Sequence, residues 1–237
     1  MKKEKTKCLG IIGGMGPLAT QTFYKMIIDM TRADSDQDHI DMIILNHASM
    51  PDRTKAVKEG HLDELFVKLV MDARFLENGG ASFIAIPCNT SHVLINRLKD
   101  SVDIPFINMI EESVREIRSL YGSGKKVGIM ATDGTVKMGI YQEECLKNDL
   151  VPIVPSEKNQ KRIMKIIYEG VKAGEAVDKK DFDVVKKEFD EKGCECALLA
   201  CTELSCIKET EDLPGYYIDA MGSLAKKAVE LCGKELK

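Results

Sequence analysis

Residues 81–98 read ASFIAIPCNTSHVLINRL, an apolar run that stops at Pro87 and then delivers Cys88, Asn89, Thr90 and Ser91 in succession. A short apolar run followed by good helix N-caps describes a buried strand handing over to a helix. Residues 194–208, CECALLACTELSCIK, repeat that design, with Cys201 and Thr202 at the junction. Each cysteine also has a glycine-bearing apolar segment well upstream, CLGIIGGMG (8–16) and KVGIMATDG (126–134), and the two intervals are nearly equal. A duplicated architecture produces this pattern, and its halves, facing each other, bring two thiols to one cleft.

Working outward, 8–13 reads as a strand and 17–32 as a helix with Pro17 in its first turn and an apolar stripe of Leu18, Phe23, Met26, Ile27 and Met30. Strands at 41–45, 81–86, 105–108, 126–131, 151–154, 194–200 and 215–218 alternate with helices at 62–78, 111–120, 157–171, 178–192 and 221–231. Alternation of this kind implies parallel sheets. We therefore expect an α/β fold of two pseudo-symmetric Rossmann-like parallel-sheet domains, with the active site in the cleft between them. The first spans 1–108 and carries Cys88; the second spans 109–219 and carries Cys201; the last helix, about 220–237, returns to the first half.

The composition limits what such a fold does. The chain has 237 residues and a net charge of −4, with lysines and acids mixed along its length. It offers no basic stripe for nucleic acid and no apolar stretch long enough for a bilayer. The charged start lacks a signal-type apolar segment, so a cytoplasmic protein with a small-molecule ligand is expected. Eight cysteines lie mostly inside apolar runs, where a reduced thiol behaves as a small hydrophobe. Cys194, Cys196, Cys201 and Cys206 are spaced C-x-C-x4-C-x4-C, without the C-x-x-C knuckle of a metal site, so no metal is expected.

Gly14, Gly16 and Ala19 match the G-x-G-x-x-A dinucleotide pattern, but the end of the second strand gives Asn46-His47-Ala48 where a ribose-binding acid belongs. The polar loop that follows, SMPDRT (49–54), brings Arg53 close to a strand terminus, where ligand loops gather in open parallel sheets.

A cysteine at the carboxyl end of a parallel strand meets the unpaired N–H groups and positive dipole of the following helix, which lowers its pKa toward neutrality. Two such cysteines from opposed halves suit opposed proton transfers, one thiolate removing a proton from carbon while a thiol on the other face returns one. Helix N-terminal N–H groups and nearby hydroxyls bind the substrate carboxylate and its growing charge.

GGMGPLAT (13–20), PCNTSH (87–92) and ACTELS (200–205), in that order and over essentially the whole chain, resemble the aspartate/glutamate racemase family. The resemblance implies cofactor-independent racemisation with Cys88 and Cys201 as paired acid and base. It further implies that the substrate α-carboxylate lies against Asn89, Thr90, Thr132 and Thr202, that Arg53 meets the distal carboxylate, and that Met15 lines the pocket. Lys172, in YEGVKAG (168–174), resembles a lysine near the family's site, with Lys165 as its rival. GGMG and CTE, in place of the DSG and CTH of glutamate racemases, favour the aspartate branch. A homodimer is the implied assembly.

Two other readings stand beside this one. A non-catalytic α/β protein could bind a carboxylate or nucleotide in the same cleft, and a related hydrolase, decarboxylase or isomerase could use the two thiols on another acid. Glu203 is either a first-turn helix acid or a residue that orients the site. His92 is expected to cap or pack, while His47 is a residue that could face the cleft.

Overall fold

The computed structural model describes residues 7–211 and 213–237; the start read above as lacking a signal segment lies, for residues 1–6, outside them. The first half runs β1 (Cys8–Gly13), α1 (Pro17–Met30), β2 (Asp41–Asn46), α2 (Arg53–Glu59), α3 (Leu62–Asn78), β3 (Phe83–Ala85), α4 (Ile95–Lys99) and β4 (Phe106–Ile107), and α5 (Met109–Tyr121) links it to the second. The second runs β5 (Lys126–Ala131), α6 (Asp133–Met138), α7 (Ile140–Lys147), β6 (Val151–Ile153), α8 (Glu157–Lys165), α9 (Lys179–Glu191), β7 (Cys196–Ala200), α10 (Thr202–Thr210), β8 (Tyr217–Asp219) and α11 (Ala220–Leu231).

The strands form two four-stranded sheets, ordered β2-β1-β3-β4 and β6-β5-β7-β8. Every pairing is parallel, and β1 and β5 hold equivalent central places. In each sheet the chain reverses its winding between the first strand and the third. That reversal opens a crevice at the carboxyl ends of the strands. β1 and β3 deliver Met15 and Cys88 to one crevice, while β5 and β7 deliver Thr132 and Cys201 to the other.

Both sheets are covered by helices, which is why their central strands read as continuous apolar runs. The largest core cluster crosses between the halves, joining Leu9 and Ile11 of β1 to Val127 and Ile129 of β5 through α1, α5, α7 and α11. α11 packs against α1 and α5. Beyond it, Leu236 forms an antiparallel bridge with Thr31, and Arg32 N–H donates to Glu235 O at 2.8 Å. The chain end thus returns to the first half.

Two glycines mark close approaches. Gly14, at φ +88°, passes the His47 backbone so tightly that a Cβ would lie 2.4 Å from the His47 carbonyl carbon. At Gly128 in β5 a Cβ would meet the Phe189 ring at 2.6 Å, so only glycine lets α9 lie on this sheet.

The structure corrects several expected elements. Arg53 does not sit in a loop; it opens α2, whose N-cap Asp52 accepts from Lys55 N–H at 2.7 Å. The helix expected directly after Cys88 is a 3-10 turn over Thr90–Leu94 before α4 begins. The helix expected over 157–171 ends as α8 at Lys165, then widens into a π turn at Ile166–Gly170 and tightens into a 3-10 turn at Val171–Ala173. Leu18, expected in the buried stripe of α1, is 51% exposed. Among the described residues no helix is long and apolar enough to cross a membrane.

Candidate active site

Cys88 and Cys201 line the same cavity, together with Met15, Arg53, Asn89, Thr90, Thr132, Lys172, Thr202 and Glu203. Every site residue expected from the sequence is therefore brought to one place. Asp52, Thr54 and Tyr168 also line it and were not expected. Asp52 and Thr54 flank Arg53 in sequence, and Tyr168 lies one helical turn before Lys172; the signal available was adjacency to a chosen cation. Lys165, the rival to Lys172, lies instead on a separate surface hollow with Glu169 and Asp178.

The first-half thiol sits on a braced turn. Cys88 N–H donates to Ile86 O at 2.7 Å, and the Cys88 carbonyl accepts from Nδ1 of His92 at 3.0 Å. His92 Nε2 accepts from Met109 N–H at 3.2 Å, which fixes the tautomer and ties the turn to the start of α5. Burial pushes the His92 pKa from 6.5 down to about 4, so the ring is a neutral brace. His47, by contrast, faces away from the cleft and pairs its Nδ1 with Asp72 at 2.8 Å.

Arg53 reaches this thiol from α2. Its Nη1 donates to Pro51 O at 3.0 Å, while its buried Nε has no partner. Burial opposes the guanidinium charge, but Cys88 beside it, with Asp52 and Glu203, raises its pKa above the ordinary value.

The second-half thiol has a different neighbour. Cys201 is the N-cap residue of α10, and its Sγ donates to Glu203 Oε2 at 2.9 Å. Glu203 is itself only 5% exposed and accepts through Oε1 from Lys172 Nζ. Burial and then the adjacent carboxylate push the Cys201 thiol well above its ordinary pKa. This overturns, for Cys201, the expectation of a thiol acidified by the helix N-terminus. Loss of water and a carboxylate in contact outweigh a partial dipole charge. Burial also opposes the Lys172 charge, yet Glu203 raises its pKa. The Lys172 ammonium lies 5.6 Å from the centroid of the Tyr168 ring.

A set of hydroxyls from both halves meets at this cavity, which Thr90 and Thr132 line. Thr90 Oγ1 is 3.1 Å from Thr132 Oγ1 and 2.9 Å from Thr135 Oγ1, and the last two are 3.1 Å apart. Thr135 is a further residue the sequence reading missed; it sits one turn into α6, behind the cap. Met15 Sδ accepts from Ser91 Oγ at 3.4 Å, which ties the GGMG turn to the segment after Cys88.

The cavity holds about 20 Å³ of water-accessible space, little more than one water molecule. The halves also touch through Lys58 Nζ and Asp133 Oδ2 at 2.9 Å and, between two residues that line the cavity, through Tyr168 Oη and Asp52 Oδ2 at 3.4 Å. Among the described residues no group of three His, Cys, Asp or Glu side chains is placed to hold a metal ion.

Fold and site together define a duplicated α/β protein in which each half contributes one thiol to a shared cleft. The family model described as Asp/Glu/Hydantoin racemase matches residues 12–228, and the chain belongs to that family. It is 27% identical over 230 residues to a broad specificity amino-acid racemase of Bacillus subtilis, covering 93% of this chain and 96% of that protein. An aspartate racemase of Picrophilus torridus superposes with a TM-score of 0.82 at 29% identity, covering 98% of this chain and 96% of that one. An aspartate racemase homologue from Pyrococcus horikoshii gives a TM-score of 0.78 at 25% identity, covering 96% and 99%.

Proposed function

We propose that the protein racemises an acidic amino acid, aspartate foremost, by thiol-based proton transfer and without pyridoxal phosphate. One observation carries the reading: a cysteine from the equivalent position of each half lines one cavity that also holds a cation from each half, Arg53 and Lys172. Two thiols give the two proton-transfer groups; two cations suit a substrate with two carboxylates. Arg53 reaches Cys88, and the hydrogen bond to Glu203 keeps the proton on Cys201.

In one direction the Cys88 thiolate takes the α-proton, and the electron pair left on carbon delocalises into the α-carboxylate. Cys201 then delivers its thiol proton to the opposite face, leaving Cys88 as thiol and Cys201 as thiolate. The reverse direction exchanges these roles. Asn89, Thr90, Thr132 and Thr202 hold the α-carboxylate as its charge grows. The reading brings with it a free small-molecule substrate, a homodimer and a cytoplasmic location.

The test is proton NMR of the purified protein in D2O with L-aspartate, L-glutamate and a panel of neutral amino acids, the last because of the broad specificity relative. The α-proton signal of L-aspartate should disappear while D-aspartate forms. Cys88→Ala and Cys201→Ala should each lower racemisation by about 10²–10⁴-fold. Wild-type rates in the doubly substituted protein would remove the thiols from the mechanism.

A further inference from the structure

Asn89 is 3% exposed, lines the cavity, and leaves its side-chain Nδ2 with no hydrogen-bond partner. Its Oδ1 is occupied: it accepts from the hydroxyl of Tyr141. Tyr141 lies on α7, in the second half, and is fully buried in the core shared by both halves. It does not line the cavity.

We propose that Tyr141 is a positioning residue: by engaging the Asn89 carbonyl from behind, it fixes the amide so that its N–H donors face the cleft and receive a substrate carboxylate. A primary amide presents an acceptor at one end and two donors at the other, with similar shape. In a pocket for an anion only one orientation is useful. The flipped amide would aim its carbonyl oxygen at the carboxylate and leave its donors against the core. Burial raises the Tyr141 phenol above its ordinary pKa, so the hydroxyl keeps the proton it donates to Asn89 Oδ1 near neutral pH. The unpaired Nδ2 is the donor this arrangement presents to a ligand, and a buried donor without a partner costs free energy that a bound carboxylate oxygen recovers. Because Tyr141 and Asn89 come from opposite halves, the donor is aimed only when the halves are docked.

The identity of the ligand rests on the racemase reading; the aim of the amide does not. The test is a double-mutant cycle in the full chain with Tyr141→Phe, Asn89→Ala and the double variant. Affinity for L-aspartate and for malonate is read from NMR titration, and KM and kcat from racemisation. Tyr141→Phe keeps the ring in the core and should weaken binding and raise KM by about tenfold, the order expected for a misdirected hydrogen bond to a charged group. The double variant should bind no more weakly than Asn89→Ala, because Tyr141 acts only through that amide. In the wild-type protein, saturating ligand should shift the Asn89 side-chain N–H signals, a readout that does not depend on any variant folding. Wild-type affinity in Tyr141→Phe, losses that multiply in the double variant, or Asn89 amide signals unmoved by both ligands would each overturn the inference. Absence of racemisation with any amino acid would instead remove the proposed function, and the malonate titrations would still decide the role of Tyr141.

Discussion

At the scale of single residues, the two thiols occupy equivalent places but unequal surroundings. Cys88 lies beside a guanidinium, whereas Cys201 donates to a carboxylate that is itself held by Lys172. The difference has a measurable sign. Burial and Glu203 both hold the proton on Cys201, so Glu203→Gln removes one of them and leaves Lys172 acting on the thiol unopposed. The Cys201 pKa should fall. Alkylation of Cys201 by iodoacetamide near neutral pH, followed by peptide mapping, should accelerate by about tenfold, the effect of a one-unit shift. Unchanged or slower alkylation would show that the carboxylate does not control this thiol.

At the scale of elements, the turn after β3 depends on a neutral histidine. His92 joins the Cys88 carbonyl to the start of α5 and is paired at both ring nitrogens. Its pKa lies near 4 in the folded chain against 6.5 ordinarily, so the unfolded chain binds this proton first as pH falls. The stability that the neutral ring contributes is complete above pH 6.5 and is lost as pH drops from 6.5 toward 4. Its full extent is of the order of 3 kcal/mol. Urea unfolding at pH 7 and pH 4.5 should show a steeper loss in the wild type than in His92→Gln, which has no proton to take up. Equal losses would mean that the ring does not titrate between the two states.

At the scale of the whole molecule, the two halves are joined by a shared core. A single core cluster runs through both, and α11 buries Met221, Leu224, Ala225, Ala228 and Val229 completely. Burying a large aliphatic side chain contributes about 1.5–3 kcal/mol, against a total stability of about 5–15 kcal/mol. A chain ending at Asp219 would lose those contacts and expose the faces of α1 and α5 beneath them. It should fail to give a cooperative thermal transition by circular dichroism. A native-like melt of that chain would show that the halves hold without the helix. The same unity bears on the site, since Thr90 meets Thr132 and Asn89 meets Tyr141 only across the join.

Much of this is written locally. Apolar runs ending in Cys88 and Cys201, each followed by capping residues, suffice for the strand-to-helix junctions, because burial on both faces of a parallel sheet leaves a continuous apolar signature. Strand 126–131 and helix 62–78 are found where periodicity places them. The break of α8 into wider and tighter turns, and the helical start at Arg53, escape a local reading. Whether a polar stretch coils or continues depends on the partners it meets in space; here Tyr168 reaches Asp52 across the cleft and Lys172 reaches Glu203 beside it. The unequal settings of the two thiols escape it as well. Near-equal spacing makes Cys88 and Cys201 look alike, but a thiol's acidity depends on which charges and how much water surround it in space. The chain order therefore contains the duplicated fold and the pair of cysteines. The folding of each half chooses the neighbour of its thiol, and docking of the halves the direction of the Asn89 amide, because electrostatic and hydrogen-bond partners are selected by proximity after folding.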